Sequence, residues 1–272
     1  MELKMISDSI DKRISSIRRL RAYWQMNART LDSDLGTMLL YVSFVFIFHN
    51  IWLKLMPGGT ATGFEATQLT WYLALTEIIA LGVYMLGFEI EKDMRSGSFL
   101  MKLLRPAGVI REYLLKGSLA TGFLVMKLTV VGLSFTTLLT GRLPISPLQG
   151  LQSLVLLAGA LILALQFHLM IGFAGTWVAN VRPYYYVWQK MMFVFGGMLI
   201  PLDLYPVAMG ELSRWTPFSA ILYIPASTAL GFGPTFLVAV AVQWFWIAVI
   251  YTFTAWMLRS AMEFQMREGA LS

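Results

Sequence analysis

Two histidines, no cysteine, and two ionisable residues inside apolar runs are the first places in this 272-residue chain to look for chemistry. His49 lies near the outer end of one apolar run, and His168 lies about 17 residues inward along another, roughly 25 Å at 1.5 Å per residue. Their different depths argue against a shared metal and for packed or interfacial imidazoles. Glu77 and Lys127 sit mid-way along successive apolar runs. An ionisable group there is costly unless paired or lining a cavity, so the two form a candidate intramembrane pair. Such a pair could serve an ion-coupled secondary transporter, or it could be structural. The sequence has no G-x-S-x-G, no H-E-x-x-H and no G-x-x-x-x-G-K-[ST]. No catalytic constellation and no metal site emerge, so the chain is not read as an enzyme, and an intramembrane hydrolase lacks its nucleophile–base pair.

The elements that hold these residues are membrane helices. The chain is 57% hydrophobic and 13% charged, against roughly 25% charged in a soluble domain. A crossing helix needs about 20 apolar residues. Six stretches meet or approach that length: 36–56, 68–88, 117–139, 151–178, 184–200 and 235–258. They imply a single all-α membrane domain over 1–272, without a soluble insertion or internal repeat. If the N-terminus is inside, Arg18, Arg19, Lys92, Arg95, Lys102, Arg105, Arg111, Lys116, Arg182, Lys190 and Arg259 share its face. Only Lys54, Arg142 and Arg214 fall opposite. Both termini and the 88–108 connection are therefore expected in the cytoplasm. The net charge of +6 is accounted for by topology and anionic lipid rather than by nucleic acid.

Three segments depart from plain spans. Over 1–33, Ile6, Ile10, Ile14, Ile17, Leu20 and Trp24 recur at steps of three or four with basic residues between them, which predicts an amphipathic helix in the membrane interface. Between the fifth and sixth stretches, residues 201–227 are too apolar for an exposed loop, yet Pro201, Pro206, Pro217 and Pro225 interrupt them. Irregular backbone cannot face lipid, so this segment is expected as two short re-entrant helices shielded by protein. The third segment, "FEIEKDMRSGSFLMKLLRPAG" at 88–108, concentrates charge. Glu91 and Arg95 are spaced for an i, i+4 pair, and Ile90 and Met94 share a face. Gly97 can end one helix and Ser98 can cap the next. Phe99, Leu100, Leu103 and Leu104 then supply an apolar face before Arg105–Pro106. Mixed charge beside an apolar stripe on the cytoplasmic side suits docking of a soluble protein.

"EIEKDMRSGSFLMKLLRP" resembles the E-x-x-x-G-x-x-x-x-L-L-x-R-P stretch after the second span of ABC-2 type transporter permeases. "GGMLIPLDLYP…TPFSAILYIPASTALG" is similar to that family's re-entrant connection before the last span. The resemblance covers nearly the whole chain, although the tail "MEFQMREGALS" matches loosely. It implies the transmembrane subunit of an ATP-binding cassette exporter in the bacterial inner membrane. That subunit would be paired with a second copy or a related permease and driven by two separate ATPase subunits, which would bind ATP and Mg. By position, 89–104 becomes a coupling element, with Glu89, Glu91, Arg95, Gly97, Phe99, Leu100, Leu103, Leu104 and Arg105 facing the ATPase. The N-terminal helix becomes the interfacial connecting helix. Residues 201–227 become an extracytoplasmic gate that includes Pro201, Pro206, Pro217, Phe218 and Pro225. The resemblance assigns this chain no cofactor of its own.

Overall fold

The computed structural model describes residues 31–56, 63–103 and 108–269, and among them there is helix but no strand. The interfacial helix expected over 1–33 falls almost wholly outside the described residues, as do Leu104, Arg105 and the side chains of Leu100 and Leu103. Residues Tyr41–Ser272 form one compact unit, to which α1 (Leu31–Leu55) contributes from Tyr41 onward.

The long helices follow the apolar runs. α2 (Ala66–Gly82) is followed by α3 (Leu86–Arg95) and α4 (Ser98–Leu103). α5 (Val109–Thr140) and α6 (Pro147–Ala174) come next, then α7 (Arg182–Phe195). A 3-10 turn (Leu202–Leu204) and three short helices come after it: α8 (Val207–Arg214), α9 (Pro217–Ile221) and α10 (Tyr223–Ala229). α11 (Phe236–Gly269) completes the chain. Among the described residues, five helical stretches are long and apolar enough to cross a membrane: 35–55, 66–95, 109–140, 147–174 and 236–264. The span expected at 184–200 differs. Its helix, α7, has 14 residues, about 21 Å at 1.5 Å per residue, against a hydrocarbon core of about 30 Å. Gly196 and Gly197 end it, the latter at φ +65 where a side chain is strained.

Local sequence explains where the helices begin and end. α6 opens on Ser146, whose hydroxyl accepts from the Gln149 amide while the Gln149 side chain accepts from the Ser146 amide. Pro147 supplies a preset φ at the first helical position. α5 stops at Gly141 in the left-handed region, whose N–H reaches the Thr137 carbonyl. The prolines of the 201–227 segment sit where a missing N–H costs nothing. Pro201 and Pro206 immediately precede helical turns, Pro217 opens α9, and Pro225 lies in the first turn of α10. The expected pair of short helices is thus three helices and a 3-10 turn, because each proline begins a new segment. Residues 219–229 are buried throughout, which meets the requirement that irregular apolar backbone be covered by protein.

Two apolar cores organise the bundle. The larger gathers Tyr72 and Ile79 of α2, Leu156, Ala160 and Leu163 of α6, and Ile247 and Ile250 of α11 around Ala220–Ile224. The smaller joins α3 and α4 to the neighbouring ends of the long helices. It contains Leu86, Ile90, Met94 and Phe99, with Val109 and Tyr113 of α5, Leu169 and Phe173 of α6, and Ala261 of α11. The closest approach in it is glycine on glycine. A Cβ on Gly172 would lie 3.0 Å from the Gly87 Cα and 2.8 Å from Ile90, and one on Gly87 would lie 2.9 Å from the His168 carbonyl. Small residues at such a crossing let two helix backbones meet. Gly87→Ala is therefore expected to destabilise the purified protein by about 1–3 kcal/mol, because the Tyr185 hydroxyl at 2.5 Å and the backbone of His168 and Gly172 must all yield. A thermal melt indistinguishable from wild type would contradict that packing.

Candidate functional site

The second long helix is interrupted. Between Gly82 and Leu86 the chain leaves helical geometry at Val83–Met85, and the helix resumes as α3. The interruption frees backbone groups where water is scarce, and such groups are costly unless bonded. Side chains from three other helices take them up. The Tyr84 N–H donates to Thr121 Oγ1 of α5 at 3.0 Å, and the Tyr84 carbonyl meets His168 Nδ1 of α6 at 2.9 Å. The Gly87 N–H donates to the Tyr185 hydroxyl of α7 at 2.8 Å. His168 also lies edge-on to the Tyr185 and Trp188 rings, so it is packed as well as bonded at this break. His49 at the other end contacts Thr70 Oγ1 at 3.0 Å.

Below the break, α3 and α4 form a helix–turn–helix held to the bundle by charge and burial. Leu86, Ile90 and Met94 fall on one stripe and are buried. Gly97, at φ +72, turns the chain from α3 into α4. Glu91 and Arg95 form the i, i+4 pair at 2.6 Å, and Glu89 pairs with Lys116 of α5. Asp93 is the hub. It accepts from Lys102 of α4, from the Tyr113 hydroxyl of α5 at 2.7 Å and from Ser98 Oγ at 3.0 Å, while the Lys102 ammonium also lies 4.4 Å from the centre of the Tyr113 ring. Phe99, expected on the partner-facing side, is instead fully buried and meets Phe173 edge-on at 6.3 Å. A turn set by Gly97 points it inward, where it holds α4 to its own chain. Met101, absent from the sequence-based set, is a large apolar side chain that α4 exposes, at 67%.

Glu77 and Lys127, the candidate intramembrane pair, lie on helices that pack together. Gly82 of α2 lies against Val125 of α5, and Ile78 lies against Gly132. That register puts Glu77 about one turn outward of Lys127. Glu77 is buried, and its Oε1 has no hydrogen-bond partner among the described residues.

The irregular segment after α7 is tied down in the same manner as the break. The Tyr72 hydroxyl donates to the Gly197 carbonyl at 2.6 Å, and Thr76 Oγ1 donates to the Met198 carbonyl at 2.7 Å. Gln243 of α11 donates from Nε2 to the Leu156 and Ala220 carbonyls, both at 2.9 Å. Phe218 stacks among Phe167, Trp188 and Phe195. Asp203 accepts from Arg214 at 2.7 Å and from the Tyr223 hydroxyl at 2.8 Å. Burial, and then the bond and charge of Asp203, push the Tyr223 hydroxyl well above its ordinary pKa, so it stays a donor.

The family described as ABC-2 family transporter protein matches this chain over residues 37–268. No curated protein matches it. The chain belongs to the ABC-2 transporter family and is a multi-pass membrane protein with a transport role.

Asp93→Asn weakens all three of the bonds that the carboxylate accepts. With charged hydrogen bonds worth about 1.5–3 kcal/mol each, the α3–α4 turn of the variant is expected to be cut by trypsin at least about tenfold faster than wild type. Equal cleavage would show that Asp93 does not hold α4.

Proposed function

We propose that this ABC-2 family member is the transmembrane permease subunit of an ATP-driven exporter, and that two such subunits form the path while two separate ATPase subunits supply the energy. In this reading the chain crosses the inner membrane six times with both termini in the cytoplasm. α7 and the irregular 196–201 stretch together serve as the fifth crossing. Residues 202–229 are the re-entrant gate on the outer side, and α3–α4 is the coupling element. The observation that carries the reading is the way α3–α4 is built. A helix–turn–helix whose apolar stripe and hub carboxylate hold it to the inner ends of α5, α6 and α11 still presents Arg95 and Met101 outward. Force applied there reaches the long helices without being lost in a flexible loop. The sequence has no P-loop, which is consistent with nucleotide chemistry on a partner.

One observation supports a second reading, an ion-coupled carrier. Glu77 is a buried carboxyl with an unbonded oxygen inside a span. That reading predicts transport by the isolated chain along an ion gradient, without ATP.

Met101→Glu and Leu103→Glu place a charge on α4. Both variants are expected to reach the membrane in normal amounts. Export measured with the assembled transporter should fall at least about tenfold, which corresponds to losing about 1.4 kcal/mol of docking. ATPase-driven export that is normal in both would remove α4 from the coupling role.

A further inference from the structure

A groove of about 570 Å³ opens between the outer side of α3 and the turn that leads from α6 into α7. Phe88 forms its apolar wall, and Glu91, Lys92, Arg95, Asn180 and Arg182 line the rest. Three cations and one carboxylate leave the groove net positive, and the carboxylate is already engaged, since Glu91 Oε1 holds Arg95 at 2.6 Å. Among the described residues, neither the Lys92 nor the Arg182 side chain has an ion-pair partner. The turn is fixed by the Arg182 N–H, which donates to Asn180 Oδ1 at 2.9 Å. Phe88 is fixed by stacking on Tyr185 at 4.5 Å. The groove is therefore a formed feature with unspent positive charge.

Its surroundings fix its depth. Trp177, Tyr184 and Tyr186 are exposed by 45%, 44% and 67% on the same turn and the start of α7. Exposed Trp and Tyr at the ends of membrane helices sit at the level of lipid headgroups. Phe88 is one of the last apolar residues before the charged part of α3. A cationic groove with an apolar floor, between two membrane helices at headgroup depth, has the chemistry of an anionic lipid site. An acidic protein segment would need the cations beyond the aromatic belt. Here they lie beside it.

We infer that this groove binds the headgroup of an anionic phospholipid, with Lys92 and Arg182 contacting the phosphodiester and the lipid chain running along Phe88. The occupant contributes negative charge between α3 and the α6–α7 turn and so fastens the two together from outside the bundle. This inference does not depend on the ATPase-driven reading.

The test uses the full chain purified in detergent. Phosphatidylglycerol and phosphatidylcholine are added, and retained lipid is counted by native mass spectrometry. Wild type should retain phosphatidylglycerol in preference to phosphatidylcholine. The Lys92→Gln/Arg182→Gln double variant should lose that retention about 25-fold, about fivefold for each cation. Lys54→Gln should keep it, and Lys92→Arg/Arg182→Lys should restore it, which separates lost charge from misfolding. Equal retention of both lipids by wild type, or undiminished phosphatidylglycerol on the double variant, would overturn the inference. Displacement of the lipid by micromolar inorganic phosphate would also overturn it, by making this a free-anion site. So would a double variant that keeps its lipid but no longer assembles with an ATPase subunit, because the groove would then be a protein-docking surface.

Discussion

The α3–α4 end of this bundle depends on how the protein satisfies the backbone groups that are freed where its second long helix breaks. In water such groups would be solvated at no great cost. Inside a membrane bundle, an unbonded amide or carbonyl costs on the order of several kcal/mol, so a break survives only where neighbours supply partners. Thr121, His168 and Tyr185 supply them from α5, α6 and α7. The break is thus also a fastening: it ties α2–α3 to three further helices at one level. With the glycine contact between α3 and α6, it makes α3 part of the bundle rather than a tail hanging from it.

The same device recurs midway along α2. Tyr72 and Thr76 hold the carbonyls of Gly197 and Met198, where α7 stops short, and Gln243 holds the carbonyls of Leu156 and Ala220. α2 therefore runs into the charged element through the break at one end and holds the buried 196–229 segment through two hydroxyls midway along its length. A helix placed in this way is physically continuous from one irregular region to the other. Continuity is a precondition for passing motion, and whether α2 has two discrete positions is a separate, measurable matter.

Much of this plan was legible in the residues. Helix class, the long spans, the Glu91–Arg95 pair, the Gly97 turn and the proline-rich segment all follow from periodicity, spacing and local conformational preference. These features are local, and sequence order displays them. The features that escaped are tertiary. Phe99 belongs to the same apolar face as Leu103 when read along the chain, yet the Gly97 turn buries it against Phe173. His168 looked like a stray imidazole because its partner, the Tyr84 carbonyl, is backbone and 84 residues away. Glu77 and Lys127 matched in depth on a simple count of residues. The observed register of α2 on α5 displaces them by about one turn, which a hairpin assumption cannot supply. The short α7 had one readable signal, the Gly196–Gly197 pair four residues before Pro201, which stops the helix before it spans.

Bonded to Tyr185 and packed on Gly172, α3 is expected to move as one body with the α6–α7 turn, and the non-helical residues Val83–Met85 are where any motion relative to α2 must be taken up. The chain has no cysteine, so single cysteines can be placed and spin-labelled without background. The most direct measurement is the distance between labels at Lys92 and Asn180, compared with that between Lys92 and Glu65, in the assembled transporter with and without trapped nucleotide. The account predicts a constant first distance and a changed second one. A first distance that changes with nucleotide, or a second that does not, would contradict it.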